Sequence, residues 1–497
     1  MLYERKFQLL KTFLQNHSRI VLDFTFIANA AGSDAVEAFA DVLSECGCQV
    51  AVTNEFYEDM DVMRQGGREE QNNLLALTDC LMEQLRSRKS WFRFDKVYSA
   101  GQVLGVLGDN PEVAFAFYVR SELAEAVLES ADSIRAGLLV VRDDGSFGAL
   151  EGPEEIRSVL SPEIDPEVLK TGTIKIEKLP DTGSRVFTRG GSEIVLGELV
   201  GQGGEGKVFR CREKGTMSQR HVVKIFHTGM LDILRLKKLR MMEQADICFE
   251  GICWPEKMVF TSDGRPAGYL MSTGNGKDAY TVFSGPGKVK MLFPSWTRKD
   301  LVRLCIQILQ RYKYLHIYGI LVGDMRLKNL YVGPDGVPGI MDIDSAQIRG
   351  IPCPVGFEDF TPPELIGRSF RNSLRTFRNE SYSVAVLIFE IFFFGLHPYD
   401  QIDGAETLAE DMKKLNFPYP GPGEFDYSRI PWGGYDEIWK NMPVQLQTFF
   451  CRVFRDGERF SLGEMICLLR TYERFIEQTS VSYPLAERLV YREETDL

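Results

Sequence analysis

Asp324 and Asn329 stand five residues apart in the segment Val322-Gly323-Asp324-Met325-Arg326-Leu327-Lys328-Asn329, and Asp342 follows thirteen residues later in Ile340-Met341-Asp342-Ile343-Asp344-Ser345. A carboxylate, an amide and a second carboxylate at these intervals are the groups a phosphoryl-transfer site needs. The apolar run Pro338 to Met341 reads as a strand that delivers Asp342, and Asp344 adds one further carboxylate. The plainer reading is a charged turn near a helix cap. It requires four matching positions to agree in spacing by chance.

Two upstream features point the same way. Gly201-Gln202-Gly203-Gly204-Glu205-Gly206-Lys207-Val208 is a glycine-rich turn that runs into a second strand, Val208 to Cys211, rather than opening a helix. That context excludes a dinucleotide-binding loop. Glycines at Gly201, Gly203 and Gly206 let backbone N–H groups close over phosphates without Cβ obstruction. Taken alone, the turn also reads as an ordinary hairpin. Eighteen residues after Gly206, Lys224 sits inside the apolar run Val222-Val223-Lys224-Ile225-Phe226. A lysine there needs a partner unless it snorkels from an edge strand.

The elements that must position these groups follow from the hydrophobic pattern. From Thr173 the chain is β-rich, with strands expected at Thr173 to Glu177, Arg185 to Thr188, Ile194 to Val200, Lys207 to Cys211 and His221 to Phe226; after Thr297 it is mostly helical. The first 150 residues alternate short apolar strands (Arg19 to Leu22, Gln49 to Thr53, Gly101 to Leu107, Gly137 to Val141) with helical patterns at Asp34 to Glu45, Asn54 to Arg86 and Pro111 to Ala131. Such alternation predicts a Rossmann-like parallel sheet with helices on both faces. The Pro- and acid-containing stretch 151–172 is expected to be a linker.

At 497 residues the chain is too long for one ordinary core. Its 44% hydrophobic and 26% charged residues are those of a globular protein, and the net charge of −12 argues against nucleic acid or an anionic membrane surface as the main partner. The longest apolar run, Val384 to Leu396, has thirteen residues and contains Glu390, against about twenty needed to span a bilayer. The beginning of the chain lacks the basic-then-apolar order of a secretory signal, so cytoplasmic residence is expected. Ten scattered cysteines are expected to be reduced, and neither Cys46-x-Cys48 nor the Cys248 and Cys253 pair has a second half at metal spacing.

From about Ile194 to Arg470 the chain resembles the protein kinase superfamily, in particular divergent bacterial serine/threonine kinases of the Hanks type whose motifs read Gly-Asp-x-x-x-x-Asn and Asp-x-Asp-Ser. The glycine loop matches G-x-G-x-x-G-x-V through Gly201, Gly203, Gly206 and Val208. The resemblance implies a bilobal fold with a β lobe at 173–272 and a helical lobe at 273–497, and ATP with Mg2+, or Mn2+ in its place, as cofactors. It implies that Asp324 orients a substrate hydroxyl, that Arg326 and Lys224 neutralise phosphate charge, that Asn329 and Asp342 hold the metals with Asp344 as a further candidate, and that Glu243 on the helix Met230 to Gln244 holds Lys224, with Glu250 as the other choice. Leu270 and Met271, ending a strand, would offer backbone groups to adenine. Phe360-Thr361-Pro362-Pro363-Glu364 and Arg459 resemble the closing ion pair of the activation segment, and Glu380 the residue that anchors the catalytic loop.

The resemblance also implies a protein substrate, the chain itself included, and partnership with a metal-dependent phosphatase or a von Willebrand A-like protein. Three departures stand out. Val322-Gly323 replaces the His-Arg before the catalytic aspartate, Ile343-Asp344 replaces Phe-Gly, and Ser345 to Thr361 is short. None removes a group needed for transfer, although a nucleotide-binding pseudokinase scaffold is the alternative.

In the first 150 residues, Asp23, Glu55 (or Asp59) and Asp109 follow strand-like runs, which resembles the metal-binding acids of the PIN-like nuclease fold. The count of 23 acidic against 14 basic residues there opposes binding a phosphate backbone. A von Willebrand A-like sheet is the competing reading, but Asp23-Phe24-Thr25 lacks Asp-x-Ser-x-Ser. A non-catalytic regulatory or partner-binding module is the remaining expectation.

Overall fold

The computed structural model describes residues 2–479 except 31–32, 162–163, 165–171, 175–177, 214–215 and 246. It is a mixed α/β molecule with three sheets.

The first sheet takes its strands from β1 Arg19–Leu22, β2 Gln49–Val52, β3 Trp91–Arg93, β4 Val113–Tyr118, β5 Gly137–Val141 and β6 Phe147–Leu150. They lie in the order β3-β2-β1-β4-β5-β6, parallel except for β6. Helices α1 Leu2–Gln15, α2 Phe24–Ala28, α3 Ser33–Cys46, α4 Asn54–Arg64, α5 Glu69–Ser87, α6 Ala100–Leu107, α7 Glu122–Glu129 and α8 Gly152–Leu160 cover it. Alternate residues of a strand face opposite ways. Val21, Phe115, Phe117 and Val140 therefore pack on α6, α7 and α8, while Ile20, Leu22, Ala116 and Leu139 join the larger core that continues into the C-terminal helices.

Two sequence expectations fail here. Gly101 to Leu107 is helix α6, capped by the Ser99 side chain accepting from Gln102 N, rather than a strand. Residues 111 to 131 are β4 followed by α7, not one helix. Val113–Tyr118 is buried on both faces at the middle of a parallel sheet, so it shows no alternation and its alanines imitate a helix. The expected linker also shrinks, because α8 occupies its first half and seats Ile156 and Leu160 in the first core. Most of the remainder, and most of the strand expected at Thr173 to Glu177, lies outside the described residues.

The second sheet is a closed antiparallel barrel of β7 Arg185–Thr188, β8 Glu193–Gln202, β9 Gly206–Glu213, β10 Thr216–Phe226, β11 Pro255–Phe260 and β12 Pro266–Ser272, with helix α9 Ile233–Ala245 lying after β10. Beyond it come β13 Lys277–Asp278, α10 Ala279–Val282, α11 Pro286–Leu292, α12 Arg298–Ile317, the hairpin β14 Leu330–Val332 and β15 Pro338–Ile340, and α13 Phe377–Phe392. Helices α14 Leu408–Lys413, α15 Tyr435–Lys440, α16 Val444–Phe454 and α17 Leu462–Thr479 follow. Val384 to Phe392 indeed forms a buried helix in α13. Among the described residues no helix is long and apolar enough to cross a membrane, and all ten cysteines are free thiols.

Candidate active site

Strand alternation aims Lys224. Val223 and Ile225 point into the barrel core, so Lys224 shares the opposite face with Val222 and Phe226, towards α9 and the segment after β15. β10 is paired on both sides, with Lys224 opposite Val208 on β9 and Tyr269 on β12. The glycine turn 203–205 closes β8 on β9, with Gly203 N donating to Gly206 O at 2.9 Å. A Cβ on Gly206 would strike the carbonyl of Ile225 on β10, whereas Gly201, Gly203 and Gly204 border open space. Leu270 and Met271 are buried on β12.

The Lys224 ammonium lies 2.8 Å from Asp344 Oδ1, 3.1 Å from Asp342 Oδ1 and 3.7 Å from Glu205 Oε2. Burial opposes its charge, but Asp344 above all, with Asp342, holds the ammonium well above its ordinary value. Burial likewise works against the charge on Asp344, yet Lys224 and Arg235 keep its carboxyl down at about 2. Tyr269 donates its hydroxyl to the same Asp344 oxygen at 2.8 Å. Arg235 on α9 donates to Glu205 Oε1 at 2.6 Å and lies 3.9 Å from Asp344 Oδ2.

Glu243 does not reach this cluster. It accepts from Met258 N at 3.4 Å and lies 3.9 Å from Arg189, on a different face of α9. Glu250 is exposed near Arg311. The expectation of a helix carboxylate on Lys224 is therefore corrected to Asp344, because the face of α9 towards the lysine carries Arg235 and Lys238. Lys238 is buried and donates to Ser345 O at 2.7 Å and Pro352 O at 2.9 Å, and burial lowers its ammonium to about 8.

The short hairpin β14–β15 brings the other groups alongside. Leu330 pairs with Ile340, and Met341 N donates to Asn329 O at 2.8 Å, which sets the residue before Asp342 beside Asn329. Asn329 Nδ2 donates to Asp324 O at 2.8 Å and to Asp324 Oδ2 at 3.0 Å, leaving its Oδ1 to accept from Arg326 Nε at 3.2 Å. Arg326 lies 3.9 Å from Asp324 Oδ2. Asp342 adopts φ 53° and ψ 46°, the left-handed region that costs a side-chain-bearing residue energy and clusters at functional sites. Its carboxylate is 54% exposed, whereas that of Asp344, two residues on, is 1% exposed.

Glu380 fixes the loop before Asp324. Its two oxygens accept from Val322 N at 3.1 Å and Gly323 N at 2.9 Å, and one of them also meets His316 Nε2 at 3.0 Å. Gly323, at φ +72°, sits so close to Arg375 and Cys353 that no side chain would fit. Arg375 donates to the carbonyls of Cys353 and Val355 and thereby braces the short segment after Ser345. Glu364 pairs with Arg459 at 2.8 Å, as the resemblance implied.

The acids expected in the first 150 residues divide. Asp23 ends β1, and Glu55 and Asp59 lie on α4 just after β2; all three border one cavity of about 380 Å3 between the first sheet and the C-terminal helices. Asp109 lies before β4, at the opposite end of the strands, and is exposed, since the run preceding it is a helix. Lys313 of α12 enters the cluster, 2.9 Å from both Glu55 Oε1 and Asp59 Oδ1. Among the described residues no group of three or more His, Cys, Asp or Glu is arranged to hold a metal ion. Lys313, Arg235, Glu205 and Tyr269 were not foreseen. Lys313 alone left a trace in the sequence, as a cation within the aromatic run Arg311-Tyr312-Lys313-Tyr314-Leu315.

No family model matches the chain. Over 249 residues it is 29% identical to protein kinase YegI of Escherichia coli (strain K12), a match covering 48% of this chain and 38% of that protein. A protein of the same name from Escherichia coli O157:H7 matches at 28% over 245 residues. Tyrosine-protein kinase Srms of Mus musculus matches at 25% over 276 residues, 52% of this chain and 50% of that protein. The chain thus spans between about two fifths and half of the length of the curated relatives it matches. These matches establish a kinase-like relationship over about half of the chain.

Proposed function

We propose that the chain is an ATP- and Mg2+-dependent phosphotransferase that moves the γ-phosphoryl group to a serine or threonine hydroxyl of a protein, itself included. The observation that carries this is the chain of contacts that joins Lys224 to Asp342, the residue before Asp342 to Asn329, and Asn329 to Asp324, delivered by β10, the end of β15 and the loop before β14. In this reading Asp324, its carboxylate fixed by the Asn329 amide, accepts the hydroxyl proton, while Lys224 and Arg326 balance charge on the phosphates. The exposed carboxylate of Asp342, and the Asn329 Oδ1 once Arg326 releases it, are hard oxygen donors of the kind Mg2+ takes and are the groups that would hold it. Bound there, the ion would neutralise phosphate charge. Intact-mass measurement after incubation with ATP and Mg2+ tests the reading. Added phosphates are expected on the parent and not on Asp324→Ala or Asp342→Ala; equal labelling of all three overturns it.

A second reading, a nucleotide-binding scaffold without turnover, is favoured by the closed set of ion pairs from Glu205 through Arg235 and Asp344 to Lys224. Stabilisation by ATP with Mg2+ but no transfer under any metal would support it.

We further infer that residues 1 to about 161 form a regulatory α/β domain, Rossmann-like in topology, and that the rest is a bilobal kinase-like unit. Lys313 as the counter-ion of Glu55 and Asp59, with Asp109 at the far end of the sheet, supports a regulatory over a nuclease role. Manganese-dependent cleavage of DNA or RNA by the full chain, lost on Asp59→Asn, would reverse that preference.

A further inference from the structure

A lysine in the interior of a strand needs a carboxylate to offset its desolvation. Helix α9 does not provide one. Its only acid, Glu243, faces Arg189, and the side turned to Lys224 carries Arg235 and Lys238, one turn apart. A glutamate is not needed there, since Asp344 already meets Lys224 at 2.8 Å from the other side.

The two carboxylates after β15 diverge. The Asp342 side chain, on a left-handed residue, stays half exposed, and the tight turn Ile343–Ser345 carries Asp344 inward, where it is buried against the lysine. Asp344 Oδ1 is occupied by Lys224 Nζ and by the Tyr269 hydroxyl, both at 2.8 Å, and Oδ2 faces Arg235 at 3.9 Å. A metal ion at Asp344 Oδ1 would have to displace a buried lysine and a buried tyrosine, and Oδ2, which has no hydrogen-bond partner among the described residues, is buried and faces the Arg235 guanidinium, a cation that repels a metal ion. One at Asp342 would share that carboxylate with Lys224, which holds Oδ1 at 3.1 Å, but would reach it from solvent, since the side chain is about half exposed.

We propose that Asp344 is the residue that positions Lys224 for the nucleotide's phosphates, taking over from a helix carboxylate, and that it does not ligate the metal. The proposal rests on the phosphotransferase reading above. Its consequence is that Lys224, Asp342 and Asp344 form one unit anchored to β10 and β15. A swing of α9 then leaves the lysine's own carboxylate partner in place, although it would withdraw Arg235 from Glu205 and Asp344 and Lys238 from Ser345.

The test is a double-mutant cycle on the full chain with Lys224→Met, Asp344→Asn and the pair together. It is read by metal-free binding of a fluorescent ribose-labelled ADP and by the Mg2+ dependence of phosphate transfer. Each single change is expected to weaken binding by about tenfold or more, and the pair to be no worse than the poorer single, because both remove one interaction. The Mg2+ concentration for half-maximal transfer should stay within about twofold of the parent in Asp344→Asn and rise by about tenfold or more in Asp342→Asn. Additive losses, or a rise in Mg2+ requirement in Asp344→Asn equal to that in Asp342→Asn, overturn the proposal. Should Asp344→Asn fail to fold, Asp344→Gly combined with Arg235→Glu returns the carboxylate to α9. Recovered nucleotide binding there, against Asp344→Gly alone, supports the proposal, and no recovery overturns it. A parent that binds no nucleotide with or without Mg2+ overturns the phosphotransferase reading as well, whereas additivity in a chain that binds overturns this proposal alone.

Discussion

Lys313 Nζ lies 2.9 Å from Asp59 Oδ1, an ion pair that joins α12 to α4 across the junction of the first sheet and the C-terminal helices. Glu55 meets the same ammonium at the same distance. Burial disfavours the charge on Lys313, but Asp59 and Glu55 hold it well above its ordinary value. The same helix carries His316, which touches Glu380, and Glu380 holds the loop before Asp324. Glu55 and Asp59 are thus linked through α12 and Glu380 to the loop before Asp324.

Breaking this pair should be costly. Lys313→Met leaves two buried carboxylates without a counter-ion and is expected to lower the unfolding free energy by about 3–5 kcal/mol. Adding Glu55→Gln and Asp59→Asn should recover most of the loss. Urea unfolding of the full chain checks both, and a loss below about 1 kcal/mol for the single change would mean that the cluster is solvated.

Asp23 makes the opposite case. Burial, with the charge of Glu55 adding to it, pushes its carboxyl up to about 6 against the hydrogen bonds from Thr25. A carboxyl whose native value lies above its unfolded value of about 3.9 binds more protons folded than unfolded between those two values, so stability falls as pH rises through that window. Asp23→Asn should therefore raise the melting temperature at pH 7.5, by the equivalent of about 1–2 kcal/mol, and the gain should shrink towards pH 4.5. A gain independent of pH would refute the assignment.

His221 on β10, whose ring meets Glu213 of β9 and Glu256 of β11, shows the usual histidine sign. The hydrogen bond to Glu256, opposed by burial and joined by that to Glu213, raises its imidazole above 6.5. Its contribution is complete below the unfolded value of about 6.5 and disappears as pH rises through the higher native value. The parent should melt above His221→Gln at pH 6, by the equivalent of about 0.5–1 kcal/mol, and the two should converge by pH 9. Melting curves at the two pH values decide it.

Glu380 accepts two buried backbone N–H groups and a histidine with one carboxylate. Glu380→Ala orphans all three and should cost about 2–5 kcal/mol, since each unsatisfied buried donor costs about 1–3 kcal/mol. Glu380→Gln keeps one acceptor oxygen and should fold, yet lose transfer disproportionately, because the loop before Asp324 is then held at one point instead of two. Denaturant unfolding alongside phosphate transfer separates the two effects.

Much of the candidate site was legible in the sequence because its parts are local. The five-residue step from Asp324 to Asn329 is spanned by one short turn, and the thirteen-residue step to Asp342 by one tight hairpin, so spacing and geometry are nearly the same statement. The Glu364 and Arg459 pair was legible by resemblance. The first 150 residues are harder to read, because a strand buried on both faces carries no period of two, and the run that forms β4 reads as helix for that reason.

By itself the sequence determined which groups are present, the strand that presents Lys224 and the hairpin that brings Asn329 and the residue before Asp342 together, since backbone periodicity and turn length act over a few residues. Only the tertiary structure decided which charges meet: that Asp344 and not Glu243 holds Lys224, that Arg235 takes Glu205, and that Lys313 takes Glu55 and Asp59. Those pairings join residues from 30 to 258 positions apart. They are set by which face of a helix the packing of the core turns inward, and no local pattern records that.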